Sequence, residues 1–340
     1  MTAKYSGQED TYKEINNILR IKTADGFEGI SGVDTYYIEE FSDEHFLELK
    51  SISKELIKVN SFDPIEVSRI MKKSKPDLSD AVLANIDIAL WDLASKKFNR
   101  PLYELLGPKR NSIEPYASLP FYDSLPEYIE AVHQYAELGY KKFKFHVWGS
   151  IEEDVALVKL VQRTFANSSY LFMIDLEGAY NMEDALKLGS LMDKGLFIWF
   201  EAPIHDELLS EYAELRKNLN THIIPAGYNI YSKEFIKQGI KKKSWDAGRF
   251  DTTVIGGITK ALELLTIANE AKLTIDIQSW GHSLGQTANL HLMLANNRTR
   301  YFEAPMPKNV FEFGMINGNL LHEGMVKPPN APGLGILVDW

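Results

Sequence analysis

There is no cysteine among the 340 residues. That excludes a disulfide framework, a thiolate metal site and a cysteine nucleophile, and it suits a reducing compartment. Basic charge is also scarce: 37 Lys and Arg stand against 47 Asp and Glu, a net charge of −10. A general nucleic-acid binder would show a basic footprint instead, so no nucleic-acid partner is expected. The one dense basic run, Lys241-Lys242-Lys243, falls at the end of a predicted helix, where cations suit the helix dipole. No apolar run approaches the roughly 20 residues of a membrane span, so no membrane partner is expected. The opening, Met1 to Asn17, is polar and acidic, unlike a signal peptide, and the expected location is the cytoplasm.

What is present is enough apolar material for a large core, with 45% hydrophobic residues in a chain of this length. From residue 113 onward short β-rich runs alternate with helical patterns. The runs are Ile113–Pro120, Lys141–Val147, Tyr170–Leu176, Leu196–Pro203, His222–Tyr228, Trp245–Thr252, Leu273–Trp280 and Arg300–Pro305. Between them lie amphipathic segments such as Leu125–Leu138, Ile151–Phe165, Met182–Met192, Glu207–Leu219, Ile258–Ala271 and Ser283–Leu294. Strands alternating with helices of this length imply βαβ units and a parallel sheet. Eight units imply an α/β fold closed as a (β/α)8-type TIM barrel, spanning residues 111–305. An open doubly wound sheet would want a Gly-rich turn after its first strand, and Leu119-Pro120-Phe121-Tyr122 is not one.

Residues 1–110 read as a separate α+β domain. Ile18–Thr23 and Phe27–Gly32 flank Asp25-Gly26, a pair that favours a tight primed hairpin turn. Helices are expected at Asp43–Val59, near Pro64–Lys72 and along Leu78–Leu105, before the stop signal Gly107-Pro108. The segment 306–340 is rich in Gly and Pro, does not form another βα unit, and is expected to return to the first domain.

In such a barrel, polar residues at the C-terminal strand ends are the catalytic candidates. Lys144 and His146 lie two apart, so strand alternation puts both on one face, opposite Phe143, Phe145 and Val147. Both residue types suit proton transfer. The alternative is a solvent-exposed strand end without a role. Asp175 and Glu201 each close a strongly apolar strand, where an unpaired carboxylate is expensive. Oxygen ligands from successive strands make a hard-cation site suited to Mg²⁺, unless both acids are salt-bridged to a neighbouring Lys. Asp251 ends the sixth run and His282 follows the seventh; an Asp that orients a His is a standard acid–base pair. Glu303 closes the ring at the eighth run. Trp148, His205, Tyr228 and Gln278 are candidates for binding substrate hydroxyls.

Together these residues resemble the enolase superfamily, in its mandelate racemase/muconate lactonizing enzyme-like branch. The resemblance covers nearly the whole chain, and includes Ala84-Asn85-Ile86-Asp87-Ile88-Ala89-Leu90-Trp91-Asp92 and Gly256-Gly257-Ile258-Thr259. It implies a modified (β/α)7β barrel with an N-terminal α+β capping domain, assembled as a homo-oligomer. It further implies abstraction of the proton α to a carboxylate with one Mg²⁺ per subunit, since the superfamily works with a Lys or His base and Mg²⁺ that stabilises the enediolate. By resemblance Asp175 and Glu201 are metal ligands, Lys144 and His146 occupy the base positions, His282 backed by Asp251 works on the opposite face, and Glu303 hydrogen-bonds the substrate carboxylate.

Three departures stand out. Relatives carry Lys-x-Lys where this chain has Lys144-Phe145-His146, so His146 is either the base or a substrate contact. The third metal ligand is normally an acid directly after a Gly, but Ala226-Gly227-Tyr228-Asn229 puts Tyr228 there; Asn229, Glu177 or a water is left to compensate, and metal affinity should be weak. The stretch before the hairpin is short, which implies a reduced lid. The activity implied first is dehydration of a sugar acid to a 2-keto-3-deoxy acid. A racemase or epimerase, a cycloisomerase or other lyase, and a non-catalytic binding barrel with an impaired metal site are the alternatives.

Overall fold

The computed structural model describes residues 15–34, 41–59, 61–227 and 232–340. Tyr228 and Asn229 therefore lie outside the described residues. The chain opens with an antiparallel hairpin, β1 (Asn16–Lys22) and β2 (Glu28–Asp34), in which Lys22 pairs with Glu28. Its turn is not the tight primed form expected from Asp25-Gly26. The Gly26 N–H donates to the Thr23 carbonyl at 3.0 Å, and Gly26 at the last turn position takes the positive φ of +89°. Three helices follow: α1 (Asp43–Leu56), α2 (Pro64–Ser74) and α3 (Asp80–Lys97).

The helical stretch expected over Leu78–Leu105 is divided in two. Asn99 enters the left-handed region at φ 53°, and Pro101, which lacks an N–H, restarts the chain as the short α4 (Leu102–Leu105). Helix α3 is buried almost throughout because it is sandwiched between the hairpin and the barrel. Asp87 of α3 accepts from the Thr259 N–H at 2.9 Å and from its hydroxyl at 2.5 Å, and Trp91 Nε1 donates to the same hydroxyl at 3.0 Å. This docking explains Gly257: a Cβ there would lie 2.5 Å from the Asp87 carboxylate.

The barrel then alternates without interruption: β3 (Pro115–Leu119), α5 (Leu125–Glu137), β4 (Lys142–His146), α6 (Ile151–Thr164), β5 (Leu171–Asp175), α7 (Met182–Met192), β6 (Phe197–Glu201), α8 (Leu209–Asn218), β7 (His222–Ile224), α9 (Lys233–Lys242), β8 (Ala247–Phe250), α10 (Ile258–Glu270), β9 (Thr274–Ile277), α11 (Ser283–Ala295) and β10 (Phe302–Pro305). Strands run β10-β3-β4-β5-β6-β7 in one parallel sheet, with β8-β9 as a second parallel pair. Side chains close the two seams. Asp246 accepts from the Ile223 N–H at 2.9 Å beside β7, and Arg300 reaches Asp276 of β9 at 2.5 Å from beside β10. Each of the eight runs read from sequence contains one of these strands.

Alternation divides each strand between two cores. Phe143, Phe145, Phe172 and Phe200 point outward to the helices, while Tyr116, Met173, Trp199, Ile224 and Ala247 fill the barrel interior. The inward positions two residues further along form the next layer, where Asp175, Glu201 and Arg249 bring charge beside Ser118 and Ala226. The tail returns to the end of the first helical region, where the Leu334 N–H donates to Asp92 and the Leu102 N–H to the Gly333 carbonyl.

Candidate active site

Register builds the site. His146 pairs with Asp175, and Asp175 with Glu201, so three strand ends present these side chains in a row. Lys144, one inward step below His146, places its Nζ 2.9 Å from Asp175 Oδ2, 3.1 Å from Glu201 Oε2 and 2.8 Å from Glu303 Oε1. All four groups are almost fully shielded from solvent. Burial opposes the ammonium, yet the carboxylates of Asp175, Glu201 and Glu303 outweigh it and hold the Lys144 pKa well above its ordinary value. Burial likewise opposes the Glu303 carboxylate, but Lys144 and Arg249 pull it down to about 2. Asp175 is lowered in the same way, by Lys144 and then His146 against the cost of burial. Lys144 thus bridges both strand-end acids.

Arg249, which no sequence pattern singles out, completes the cluster. Its Nε stands 2.8 Å from Glu201 Oε1, and its Nη2 lies 2.7 Å from Glu303 Oε2 and 3.2 Å from the Tyr116 hydroxyl. The available signal was its place two residues before Asp251, on the same inward face of β8. Ser118, also unremarked in sequence, donates its hydroxyl to Glu303 at 2.9 Å.

His146 has a defined tautomer. Its Nδ1 lies 2.6 Å from the Leu119 carbonyl, which can only accept, so Nδ1 carries the proton. Nε2 is left as the basic nitrogen, 3.6 Å from Asp175 Oδ2, and the Trp280 ring packs edge-on against the imidazole at 5.2 Å. His282 is held differently. Nε2 donates to the Phe313 carbonyl at 2.8 Å, and Nδ1 accepts from Asn16 Nδ2 at 2.7 Å. His282 also caps the start of α11. Burial, partly offset by the Phe313 bond, pushes its pKa down to about 4, so the imidazole is neutral near pH 7. Asp251 Oδ1 accepts from the Thr253 N–H and hydroxyl, at 2.8 and 2.7 Å, and from Asn289 Nδ2 at 2.8 Å.

The hydroxyl-binding candidates scatter. Trp148 packs against Phe121 and Tyr128 and borders a cavity of 270 Å³ walled by Asp123, Glu152 and Glu153, an acidic setting that repels a carboxylate. Gln278 is buried beyond β9, its N–H bonded to the Phe250 carbonyl. His205 backs Gly178.

The donors for a divalent cation are Asp175 and Glu201, and both already accept from Lys144. Among the described residues no group of three or more His, Cys, Asp or Glu is arranged to hold a metal ion. An ion between these two acids would have to displace an ammonium whose proton is firmly held. As arranged, the described residues do not fit the Mg²⁺ that the resemblance implies.

An eight-stranded parallel barrel capped by an α+β unit, with acids, a lysine and a histidine gathered at its C-terminal strand ends, defines a barrel enzyme of acid–base type. The chain belongs to the family whose models match it in two parts, the mandelate racemase/muconate lactonizing enzyme N-terminal domain over residues 10–107 and the enolase C-terminal domain-like fold over 127–340. It is 27% identical to arabinonate dehydratase of Saccharolobus solfataricus, over 94% of this chain and 87% of the relative. A crystal structure of a Pseudovibrio sp. protein described as a mandelate racemase/muconate lactonizing enzyme superposes with a TM-score of 0.93 at 31% identity, covering 100% of this chain and 91% of that one. A mutant of L-talarate/galactarate dehydratase, liganded with Mg and L-glucarate, shares the fold at a TM-score of 0.85 and 22% identity, covering 96% and 81%. Further relatives bear the names of epimerases, synthases and cycloisomerases.

Proposed function

We propose that this chain removes the proton α to a carboxylate and dehydrates a sugar acid to its 2-keto-3-deoxy product. The observation that carries the reading is His146, whose Nδ1–H is fixed on the Leu119 carbonyl so that Nε2 remains as the base beside the carboxylate cluster. The α C–H bond breaks toward Nε2, and its electrons pass into the enediolate. Lys144, bonded to the same Asp175 oxygen that Nε2 faces, supplies the positive charge near which that negative charge develops. The resulting imidazolium is steadied by Asp175 and returns the proton to the departing β-hydroxyl, which leaves as water. The enol then tautomerises to the keto acid. No step runs through a metal ion, because Lys144 and Arg249 already hold the carboxylates that would bind one.

His282 is assigned a supporting place in this scheme. Both ring nitrogens are engaged and the ring is neutral, whereas a general acid needs a proton it can release near working pH. The relatives named as dehydratases of arabinonate and of gluconate and galactonate favour dehydration over the alternatives.

The test is incubation with a panel of aldonic and aldaric acids, followed by a semicarbazide assay for 2-keto acids. A keto product from at least one acid supports the reading. Racemised or epimerised acid without keto product would replace it with the isomerase alternative.

A further inference from the structure

We propose that Arg249 and Lys144 stand in for the divalent cation of this barrel site, so that the chain carries out its carboxylate chemistry without a bound metal ion. The inference rests on the proposed function for the chemistry, but on the cluster itself for the charge. Three acids, Asp175, Glu201 and Glu303, face two cations, Lys144 and Arg249, so the five buried side chains already stand close to charge balance. A divalent ion added to this set would turn that balance positive in a place closed to water.

The two cations differ in kind. An ammonium can lose its proton or swing on a flexible stem, whereas a guanidinium stays charged and offers a rigid fork. Arg249 uses the fork to span Glu201 and Glu303, with a further bond to the Tyr116 hydroxyl and a longer one, 3.5 Å, to the Asp276 carbonyl. Burial opposes its charge, but Glu201 and the other acids raise its pKa still further.

A second observation fixes its location. Gly227, just past β7, packs so tightly on β8 that a Cβ would lie 2.9 Å from the Arg249 carbonyl carbon and oxygen. The guanidinium therefore belongs to the strand adjoining the end of β7. Arg249 thus stands on β8 and His146 on β4, and the guanidinium fork reaches Glu201 and Glu303.

The experiment is a titration of the EDTA-dialysed wild-type chain with Mn²⁺, read by the loss of the free-ion electron paramagnetic resonance signal. No substrate is needed, so the outcome is independent of whether a sugar acid is turned over. The expected result is no stoichiometric binding into the millimolar range. One Mn²⁺ bound per chain at micromolar concentration overturns the proposal. The Arg249→Gln variant, checked for folding by circular dichroism, tests the assignment to that residue. Freed of the guanidinium, Glu201 and Glu303 are expected to bring Mn²⁺ affinity at least roughly tenfold above the wild-type limit. A folded variant that still takes up no Mn²⁺ removes Arg249 from the role.

Discussion

His146 donates its Nδ1–H to the Leu119 carbonyl at 2.6 Å, and this one bond decides which nitrogen meets the substrate. Replacing the ring with an amide of similar shape keeps a donor for Leu119 and deletes the base. We expect His146→Asn to lose about 10²–10⁴ in kcat, the usual worth of a general base, with little change in KM. Steady-state kinetics alongside circular dichroism check this; full retention of kcat in a folded variant would rule His146 out as the base.

His282→Asn should act first on stability. Its ring joins β1, through Asn16, to the Phe313 segment and caps α11. Losing these bonds should cost about 1–3 kcal/mol in urea unfolding at pH 7.5. The pH dependence has a defined sign. The folded-state pKa is depressed to about 4 from an ordinary 6.5, so the unfolded chain binds the proton more tightly, and this residue's share of stability falls as pH drops from 6.5 toward 4. The variant should lose that part of the acid sensitivity. A variant of unchanged stability whose kcat falls as far as that of His146→Asn would instead place His282 in the chemistry.

Lys144→Met leaves three buried carboxylates with Arg249 as their remaining cation in the cluster. Removing one partner of a buried ionic set costs about 3–5 kcal/mol, because the charges left behind are uncompensated. Those carboxylates then hold protons more readily folded than unfolded. The destabilisation should accordingly be larger at pH 8 than at pH 5, which urea melts at both values would show.

Asp87 ties the cap to the barrel through Thr259. Burial raises its pKa to about 7 from an ordinary 3.8, although the Thr259 bonds resist the shift. The folded state therefore holds the proton more tightly, and stability attached to this group is full below about pH 4 and lost as pH rises through 7. Asp87→Asn, which cannot ionise, should flatten this part of the stability profile and gain relative to wild type above pH 7. An unchanged profile would contradict the assignment.

The barrel is legible in the sequence because each strand is a short apolar run that ends in a polar residue, a pattern visible without partners. Asp175 and Glu201 are legible for the same reason, as charges ending apolar strands, and Lys144 and His146 by their two-residue spacing on one face of β4. Arg249 is not, since it sits inside its run between Gly248 and Phe250, and only the three-dimensional register shows which carboxylates it meets. Two local details differ from the sequence reading: Gly26 takes the last turn position of the hairpin rather than a central one, and Asn99 and Pro101 break the helical stretch read across them. The status of His282 is beyond reach of sequence: its partners are Asn16 and Phe313, one from each end of the chain.

The central claim is proton abstraction α to a carboxylate by His146, and the most direct measurement follows that proton. Wild-type and His146→Asn chains are incubated in D₂O with aldonic and aldaric acids, with EDTA and with Mg²⁺ in parallel, and read by proton NMR. The expected result is loss of the α-proton signal with a new 2-keto-3-deoxy spectrum for wild type in both buffers, and neither for the variant. An α-proton that persists for every acid with wild type, or exchange that continues undiminished in His146→Asn, would contradict the claim.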